Sequence, residues 1–242
     1  MAIESFAEAL AQAGATAAML SPADARALDE QGYVVLRSAI PSDSLGDLRA
    51  RFEECMLAPD KWPMPREPDT RHSMLANDEA TRRICLSPRL LALVAHGIGD
   101  RFFLKDVQGR DPLPGGGHQG LHRDWPDDGP GSRMMVGLGF LDPFGDANGA
   151  TRLIPGTHAE RGGMNDYAAH LTHPREVVVE GDAGDVLVFH GRLVHSGRRN
   201  DSGASRRTLQ ICWQLHSAMG PFKDKRDLSA VPPLDRYFMG AD

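Results

Sequence analysis

The segment Leu121-His122-Arg123-Asp124-Trp125 sets an imidazole and a carboxylate two residues apart. On a strand, residues i and i+2 project to one face, so His122 and Asp124 are placed to serve one metal ion. Two histidines and one carboxylate, with coordination positions left open, are the donor set of iron(II) sites that activate O2. The carboxylate keeps such a site hard and low in charge. Alone, His-x-Asp is a weak signal in a chain of 242 residues with 10 histidines, and a surface histidine beside a solvated aspartate is the plain alternative. The third ligand has to come from elsewhere. His195 ends the run Asp185-Val-Leu-Val-Phe-His-Gly-Arg-Leu-Val-His195-Ser-Gly197, which reads as a strand, a turn and a histidine.

Arg206 opens a predicted strand over 206–215 that sorts into two faces. Arg206, Thr208, Gln210, Cys212 and Gln214 share one side, a polar lining suited to a pocket. Arg207, Leu209, Ile211, Trp213 and Leu215 share the other, an apolar strip that should pack against helices. Of the two adjacent arginines, Arg206 should therefore point inward and Arg207 outward. An inward guanidinium needs an anion, and its planar fork matches a carboxylate in bidentate fashion.

Taken together, His122-Arg-Asp124, the Asn148-Gly-Ala-Thr-Arg-Leu-Ile-Pro-Gly-Thr-His158 segment, the Gly184-Asp-Val-Leu-Val-Phe-His-Gly run, His195 and Arg206 resemble the phytanoyl-CoA dioxygenase family. The stretch Asp29-Glu-Gln-Gly-Tyr-Val-Val-Leu36 is similar to that family's opening helix and strand. The likeness covers roughly residues 21–215, and its specificity lies in the combination and order of the motifs. It implies a mainly β (α+β) fold, a double-stranded β-helix or cupin-like jelly-roll barrel, with iron in its mouth. It implies that His122, Asp124 and His195 are the catalytic metal ligands and that Arg206 holds the distal carboxylate of 2-oxoglutarate. The family often carries a serine two residues after the distal histidine. Here that place is Gly197, with Ser196 one residue earlier, so Thr208 or Thr151 is expected to supply the hydroxyl. Gln108 or Lys105, on the preceding strand, reads either as a further contact to the co-substrate or as a plain exposed strand residue.

The implied activity is that of an iron(II)/2-oxoglutarate-dependent dioxygenase. It consumes O2, releases succinate and CO2, and hydroxylates an unactivated C–H bond of a small molecule. Relatives that halogenate have a small residue in place of the carboxylate, so Asp124 favours hydroxylation. Two other readings compete: a cupin-like metalloenzyme that does not use 2-oxoglutarate, and a non-catalytic jelly-roll binding module. Arg206 argues against the first and the intact triad against the second. The family name does not by itself license a CoA thioester, and the chain has no obvious basic cluster for a CoA diphosphate.

The elements that must position these residues follow from local pattern. Met1–Leu20 reads as an amphipathic helix, with Glu4 and Glu8 and no basic start as in a signal peptide. Ser21-Pro22 opens a helix that Gly32 ends. Tyr33–Arg37 is a short strand, a second helix starts at Ser42 or Asp43 and runs to about Met56, and Ser87-Pro88 opens a third over Arg89–His96. Residues 58–72 read as irregular. From 102 onward short strands are predicted at 102–108, 118–124, 133–141, 151–154, 175–180, 185–190, 193–197 and 206–215, with loops at 109–117 and 126–132. Strands without alternating long helices suggest a sandwich or barrel. The organisation expected is one oxygenase domain over 1–242, with a helical brace to about 100, a jelly-roll core over about 101–216 and a tail over 217–242.

Other conspicuous residues carry plainer expectations. His158 reads as a hydrogen-bonding turn residue, His190 as a satisfied core or rim histidine, and His118 as solvated. Trp125 is balanced between a wall for substrate and a core anchor. Gly137 and Gly139 interrupt a strand either to make room for a ligand or to admit tight packing.

Composition bounds the partners. The net charge of −6 comes without a Lys/Arg stripe, which argues against nucleic acid and anionic membranes. No apolar run approaches the roughly 18 residues of a membrane helix. Three widely spaced cysteines, Cys55, Cys85 and Cys212, suggest thiols in a reducing cytoplasm. A small-molecule substrate is expected, and the sequence leaves the oligomeric state open.

Overall fold

The computed structural model describes residues 3–56, 70–74, 79–125, 133–161, 168–218 and 228–240. The predicted loop at 126–132 and most of the Pro-rich 58–72 stretch lie outside the described residues. The elements in chain order are α1 (Phe6–Gln12), α2 (Pro22–Gln31), β1 (Tyr33–Leu36), α3 (Leu45–Glu54), β2 (Thr70–Met74), α4 (Glu79–Cys85), α5 (Pro88–Ile98), β3 (Phe102–Pro112), β4 (Met134–Phe140), β5 (Thr151–Leu153), β6 (Val177–Val178), β7 (Val186–His190), β8 (His195–Gly197), β9 (Thr208–Leu215) and α6 (Pro233–Phe238).

Local signals set the helices. Ser21 Oγ accepts a hydrogen bond from the Asp24 N–H at 3.0 Å, and Pro22 occupies the first position of α2, where no N–H is needed. α5 starts at Pro88 in the same way and buries Leu90, Leu91, Leu93 and Val94. The N-terminal stretch is broken rather than one helix: α1 ends at Gln12 and a single 3-10 turn follows at Ala17–Met19. No helix among the described residues is long and apolar enough to cross a membrane.

Two antiparallel sheets form the double-stranded β-helix. The larger has the order β1-β7-β4-β9-β3-β2 and the smaller β6-β5-β8. Period-2 alternation sorts β9 as expected. Leu209, Ile211 and Trp213 join a core shared with Phe52 of α3 and Leu90, Leu91 and Leu93 of α5. On the opposite face, Val136 and Phe140 of β4, Leu187 and Phe189 of β7 and Cys212 of β9 pack with Leu153 of β5 and Leu193 between the two sheets. The helices therefore back the large sheet on one side, and the cavity opens on the other.

The glycines of β4 belong to the helix side. A Cβ on Gly137 would lie 2.8 Å from the Trp213 ring, and one on Gly139 would lie 3.1 Å from Ile40. Tight packing, not room for a ligand, is the reason for both.

Several predicted bounds are corrected. Residues 118–124 form no regular strand: the sole ladder contact is an isolated bridge between His122 and His195. The run is rich in glycine before it and bends after it, so it lies along β8 without extending the sheet. β3 continues to Pro112 into the predicted loop, because β2 pairs with its far end from Thr70↔Pro112 to Met74↔Gln108. Residues 70–72 are thus strand rather than irregular. The strand expected at 175–180 shrinks to Val177–Val178, and α4 and α6 were not foreseen. Cys55, Cys85 and Cys212 form no disulfide.

Candidate active site

The two histidines are brought together by backbone pairing. The His122 N–H donates to the His195 carbonyl and the His195 N–H to the His122 carbonyl, each at 3.0 Å. Residues that exchange both bonds in an antiparallel pair project their side chains to the same face. The imidazoles accordingly lie with ring centroids 4.6 Å apart. Asp124 follows two residues after the bridge, and the Trp125 N–H pins the bend by donating to the Gly191 carbonyl at 2.9 Å.

Second partners fix the ring orientation. His122 Nδ1 lies 2.8 Å from the Gly120 carbonyl, and His195 Nδ1 lies 2.9 Å from the Leu193 carbonyl. A carbonyl only accepts, so both Nδ1 atoms carry the proton and both Nε2 lone pairs face the centre. There His122 Nε2 stands 3.6 Å from Asp124 Oδ1, and His195 Nε2 stands 3.5 Å from Asp124 Oδ2. These gaps are long for hydrogen bonds but fit atoms that share an ion, since donors each about 2.1 Å from one metal lie about 3–3.5 Å apart.

Protonation states agree with that reading. Burial pushes His195 down to about 4, so it is a neutral imidazole at pH 7. Burial opposes ionisation of Asp124, but the facing His195 and His122 outweigh it and hold the carboxyl down to about 2. Asp124 Oδ2 is buried and accepts no hydrogen bond from the described residues. A buried anion without a donor is costly unless a cation completes it. Among the described residues, His122, Asp124 and His195 are the group able to hold a metal, with ligand atoms all within 4.8 Å of one another.

The cavity around the triad is lined by Gln119, Thr151, Gly197, Arg206, Thr208 and Gln210, with Leu138 and Phe189 as its apolar wall. Arg206 is 7% exposed, its guanidinium lies 4.8 Å from the Phe144 ring centroid, and its backbone N–H donates to Asp111 Oδ1 at 2.9 Å. Arg207 lies on the other side, gripping Asp142 through Nε at 2.8 Å and Nη2 at 2.9 Å. Thr208 Oγ1 donates to the Arg110 carbonyl at 3.1 Å. Ser196 faces away from the cavity and accepts from Arg152 Nε at 2.7 Å. A Cβ on Gly197 would lie 2.8 Å from the Gly117 carbonyl, so a serine has no room there. Gln108 shares the inner face of β3 opposite Gln210 but is not part of the cavity lining; it accepts from Arg110 Nη2 at 3.3 Å.

Arg110 is one of the lining residues the sequence reading missed. It fell inside a predicted loop, yet β3 keeps its alternation past Gln108 and turns Arg110 to the same face. His190 and His158 lie outside the lining and stack on each other at 4.8 Å, and Trp125 packs against the core between the sheets.

One residue ties the ligand segments together. Arg152 is 2% exposed. Beyond Ser196, it donates to the carbonyls of Leu171 at 2.6 Å, Ala169 at 3.0 Å and Gln119 at 3.4 Å, and pairs with Glu176 at 3.2 Å. It thus joins the strand of His195, the approach to His122 and the 169–176 segment. Breaking a buried charge network by removing one partner costs about 3–5 kcal/mol. Arg152→Ala should therefore lower the thermal midpoint by roughly 6–20 °C, at about 2–4 °C per kcal/mol for a chain of this size. Differential scanning calorimetry checks it, and an unchanged midpoint would show that the network is dispensable.

Comparison with known proteins matches this geometry. The family model described as phytanoyl-CoA dioxygenase (PhyH) matches residues 28–208. The iron/alpha-ketoglutarate-dependent dioxygenase ausU of Aspergillus calidoustus is 26% identical, over 89% of this chain and 79% of its own length. The L-proline trans-4-hydroxylase of Streptomyces griseoviridis is 26% identical, over 65% of this chain and 74% of its own. Dioxygenase aneA of Aspergillus aculeatus is 36% identical, but the match spans only 37% of this chain and 32% of that protein. Among solved structures, HygX from Streptomyces hygroscopicus with nickel, 2-oxoglutarate and hygromycin B bound superposes with a TM-score of 0.66 at 18% identity, covering 81% of this chain and 88% of its own. The non-heme alpha ketoglutarate dependent epimerase SnoN from nogalamycin biosynthesis gives 0.68 at 16% identity, covering 88% and 95%. These two share the fold. The family match runs through all three triad residues and Arg206, and on it the chain belongs to the phytanoyl-CoA dioxygenase family and is an iron(II)- and 2-oxoglutarate-dependent dioxygenase.

Proposed function

We propose that the enzyme hydroxylates an unactivated C–H bond of a small-molecule metabolite, with His122, Asp124 and His195 holding iron and Arg206 holding the distal carboxylate of 2-oxoglutarate. The observation that carries this reading is the convergence of two Nε2 lone pairs and a buried, donor-less carboxylate oxygen beside an inward guanidinium. Bound iron(II), with 2-oxoglutarate and O2, supplies an oxidant able to break such a bond while the co-substrate leaves as succinate and CO2.

The chain's own residues then do four things. The Gly120 and Leu193 carbonyls keep both imidazoles in the metal-binding tautomer. Asp124 contributes one negative charge and leaves no ligand place for a halide. Arg206, with Thr208 and Thr151 beside it, receives the far end of the co-substrate, and its stacking on Phe144 holds the guanidinium plane. Leu138 and Phe189 present an apolar wall that limits water near the reacting carbon. The chain acts as one catalytic unit, with the helices as brace and the jelly roll as carrier of the site. The likeness to an L-proline trans-4-hydroxylase supports hydroxylation of a small metabolite.

The test is turnover of a metabolite panel under isotopically labelled O2, read by mass spectrometry. A product that gains one labelled oxygen supports hydroxylation. An epimer, or a product that has lost two hydrogens and gained no oxygen, overturns it. The same assay judges Asp124→Gly. Hydroxylation should fall below detection while iron binding in the presence of 2-oxoglutarate drops less, because two imidazoles and a chelating oxo acid still hold the ion. Hydroxylation at the wild-type rate would exclude Asp124 as a ligand.

A further inference from the structure

Gln119 grips β8, the strand that begins at His195, in two ways. The Gln119 N–H donates to the Gly197 carbonyl at 3.1 Å, and the Gly197 N–H donates back to Gln119 Oε1 at 3.1 Å. In an ordinary antiparallel exchange the second bond would end on the Gln119 carbonyl. Here Arg152 Nη2 donates to that carbonyl at 3.4 Å, and the side-chain amide takes its place on Gly197. The residue also lines the cavity of the triad.

This arrangement decides which way round the amide sits. A backbone N–H only donates, so the atom facing Gly197 is the oxygen and the NH2 group is the other arm. Gly197, with no side chain, leaves space beside it. A Cβ there would stand 3.4 Å from Gln119 Oε1 and 3.9 Å from Arg206 Nη2, so the amide and the guanidinium flank one point of the cavity. Thr208 is a poor donor to that point, because its single hydroxyl hydrogen goes to the Arg110 carbonyl at 3.1 Å.

A carboxylate presents about four acceptor sites, and a planar guanidinium fork meets two of them. The others need donors once the anion has left water. A primary amide carries two N–H donors, so it can meet a bound carboxylate while also holding a protein group. We infer that Gln119 is a second co-substrate-binding residue, its NH2 group donating to the distal carboxylate of 2-oxoglutarate that Arg206 receives. The inference rests on the reading of Arg206 as the co-substrate arginine.

The test is anaerobic titration of iron(II)-loaded, full-length protein, following the charge-transfer absorption of the chelate. Wild type, Gln119→Met, Gln119→Glu and Arg206→Ala are each titrated with 2-oxoglutarate and with 2-oxopentanoate, which chelates iron in the same way but ends in a methyl group. Gln119→Met keeps the length of the side chain and loses its hydrogen bonds. Gln119→Glu keeps an acceptor for the Gly197 N–H but sets one carboxylate against another. Losing a hydrogen bond to a charged group corresponds to about ten- to a hundred-fold. Gln119→Met should therefore weaken 2-oxoglutarate binding by about that factor and Gln119→Glu by more. 2-Oxopentanoate should bind wild type and both Gln119 variants alike.

Wild-type affinity for 2-oxoglutarate in either Gln119 variant would overturn the inference. So would a smaller loss in Gln119→Glu than in Gln119→Met, the pattern of a side chain that only steadies Gly197. An equal loss of 2-oxopentanoate and 2-oxoglutarate, the pattern of a disturbed iron site, would overturn it too. Arg206→Ala judges the underlying reading separately: wild-type affinity for 2-oxoglutarate in that variant would remove Arg206 from the co-substrate, and this inference with it.

Discussion

His195→Ala is expected to leave the protein unable to retain iron(II) and to abolish turnover, and His122→Ala to do the same. Each substitution removes one of three donors whose atoms lie within 4.8 Å of one another. Altering a group that merely orients a metal ligand costs about 10–100-fold in affinity or activity, so losing a ligand should cost more. His195 offers the cleaner case. It is 7% exposed, with the Phe189 ring 4.6 Å from its own. Anaerobic reconstitution followed by metal analysis should give one iron per wild-type chain and well under one per variant chain. An unchanged far-ultraviolet circular dichroism spectrum would show that the variants remain folded. Full iron occupancy or full turnover in either variant would remove that histidine from the ligand set.

Much of this site could be read from the order of residues, because ligand identity depends on chemistry and on local pairing. The alternation along 206–215 is the clearest case. Leu209, Ile211 and Trp213 face the helices, while Thr208 and Gln210 line the cavity. Ser21-Pro22 and Ser87-Pro88 marked helix starts for equally local reasons. What escaped the sequence was non-local. His122 was placed on a strand so that i and i+2 would share a face, but the structure aligns it through one bridge to His195, 73 residues later. The same face is reached by cross-strand pairing. β3 was cut short before Arg110 because Gly109 and Pro112 look like loop residues; β2, from a stretch without an evident strand pattern, pairs with exactly those positions and extends it. The small residue at 197 is likewise explained by a distant neighbour, the Gly117 carbonyl. The substrate is least legible, since it is recognised by where side chains converge rather than by which residues they are.

The paired substitution Arg206→Ala and Arg207→Ala should divide two functions that adjacent residues of one type perform. Arg206 lies on the cavity side of the barrel, stacked on Phe144, and its expected partner is the distal carboxylate of 2-oxoglutarate. Truncating one member of a buried, hydrogen-bonded charge pair costs about 2–5 kcal/mol. At about 1.4 kcal/mol per tenfold, Arg206→Ala should weaken 2-oxoglutarate binding by roughly 30-fold to several thousand-fold. Arg207 has its partners elsewhere. Nε and Nη2 hold both oxygens of Asp142, which follows β4, and Nη1 lies 3.2 Å from Glu53 of α3. Arg207→Ala therefore acts on folding, by about 1.5–3 kcal/mol for hydrogen bonds to a charged group. That is roughly 3–12 °C in thermal midpoint, and co-substrate affinity should move only a few-fold. The two variants should thus show opposite signatures: a large loss of affinity with a modest change in midpoint for Arg206, and the reverse for Arg207. Anaerobic titration of 2-oxoglutarate into iron(II)-loaded protein, with calorimetry on the same samples, reads both quantities. Equal losses of affinity, or a larger loss for Arg207, would mean that the inward face of β9 does not carry the co-substrate.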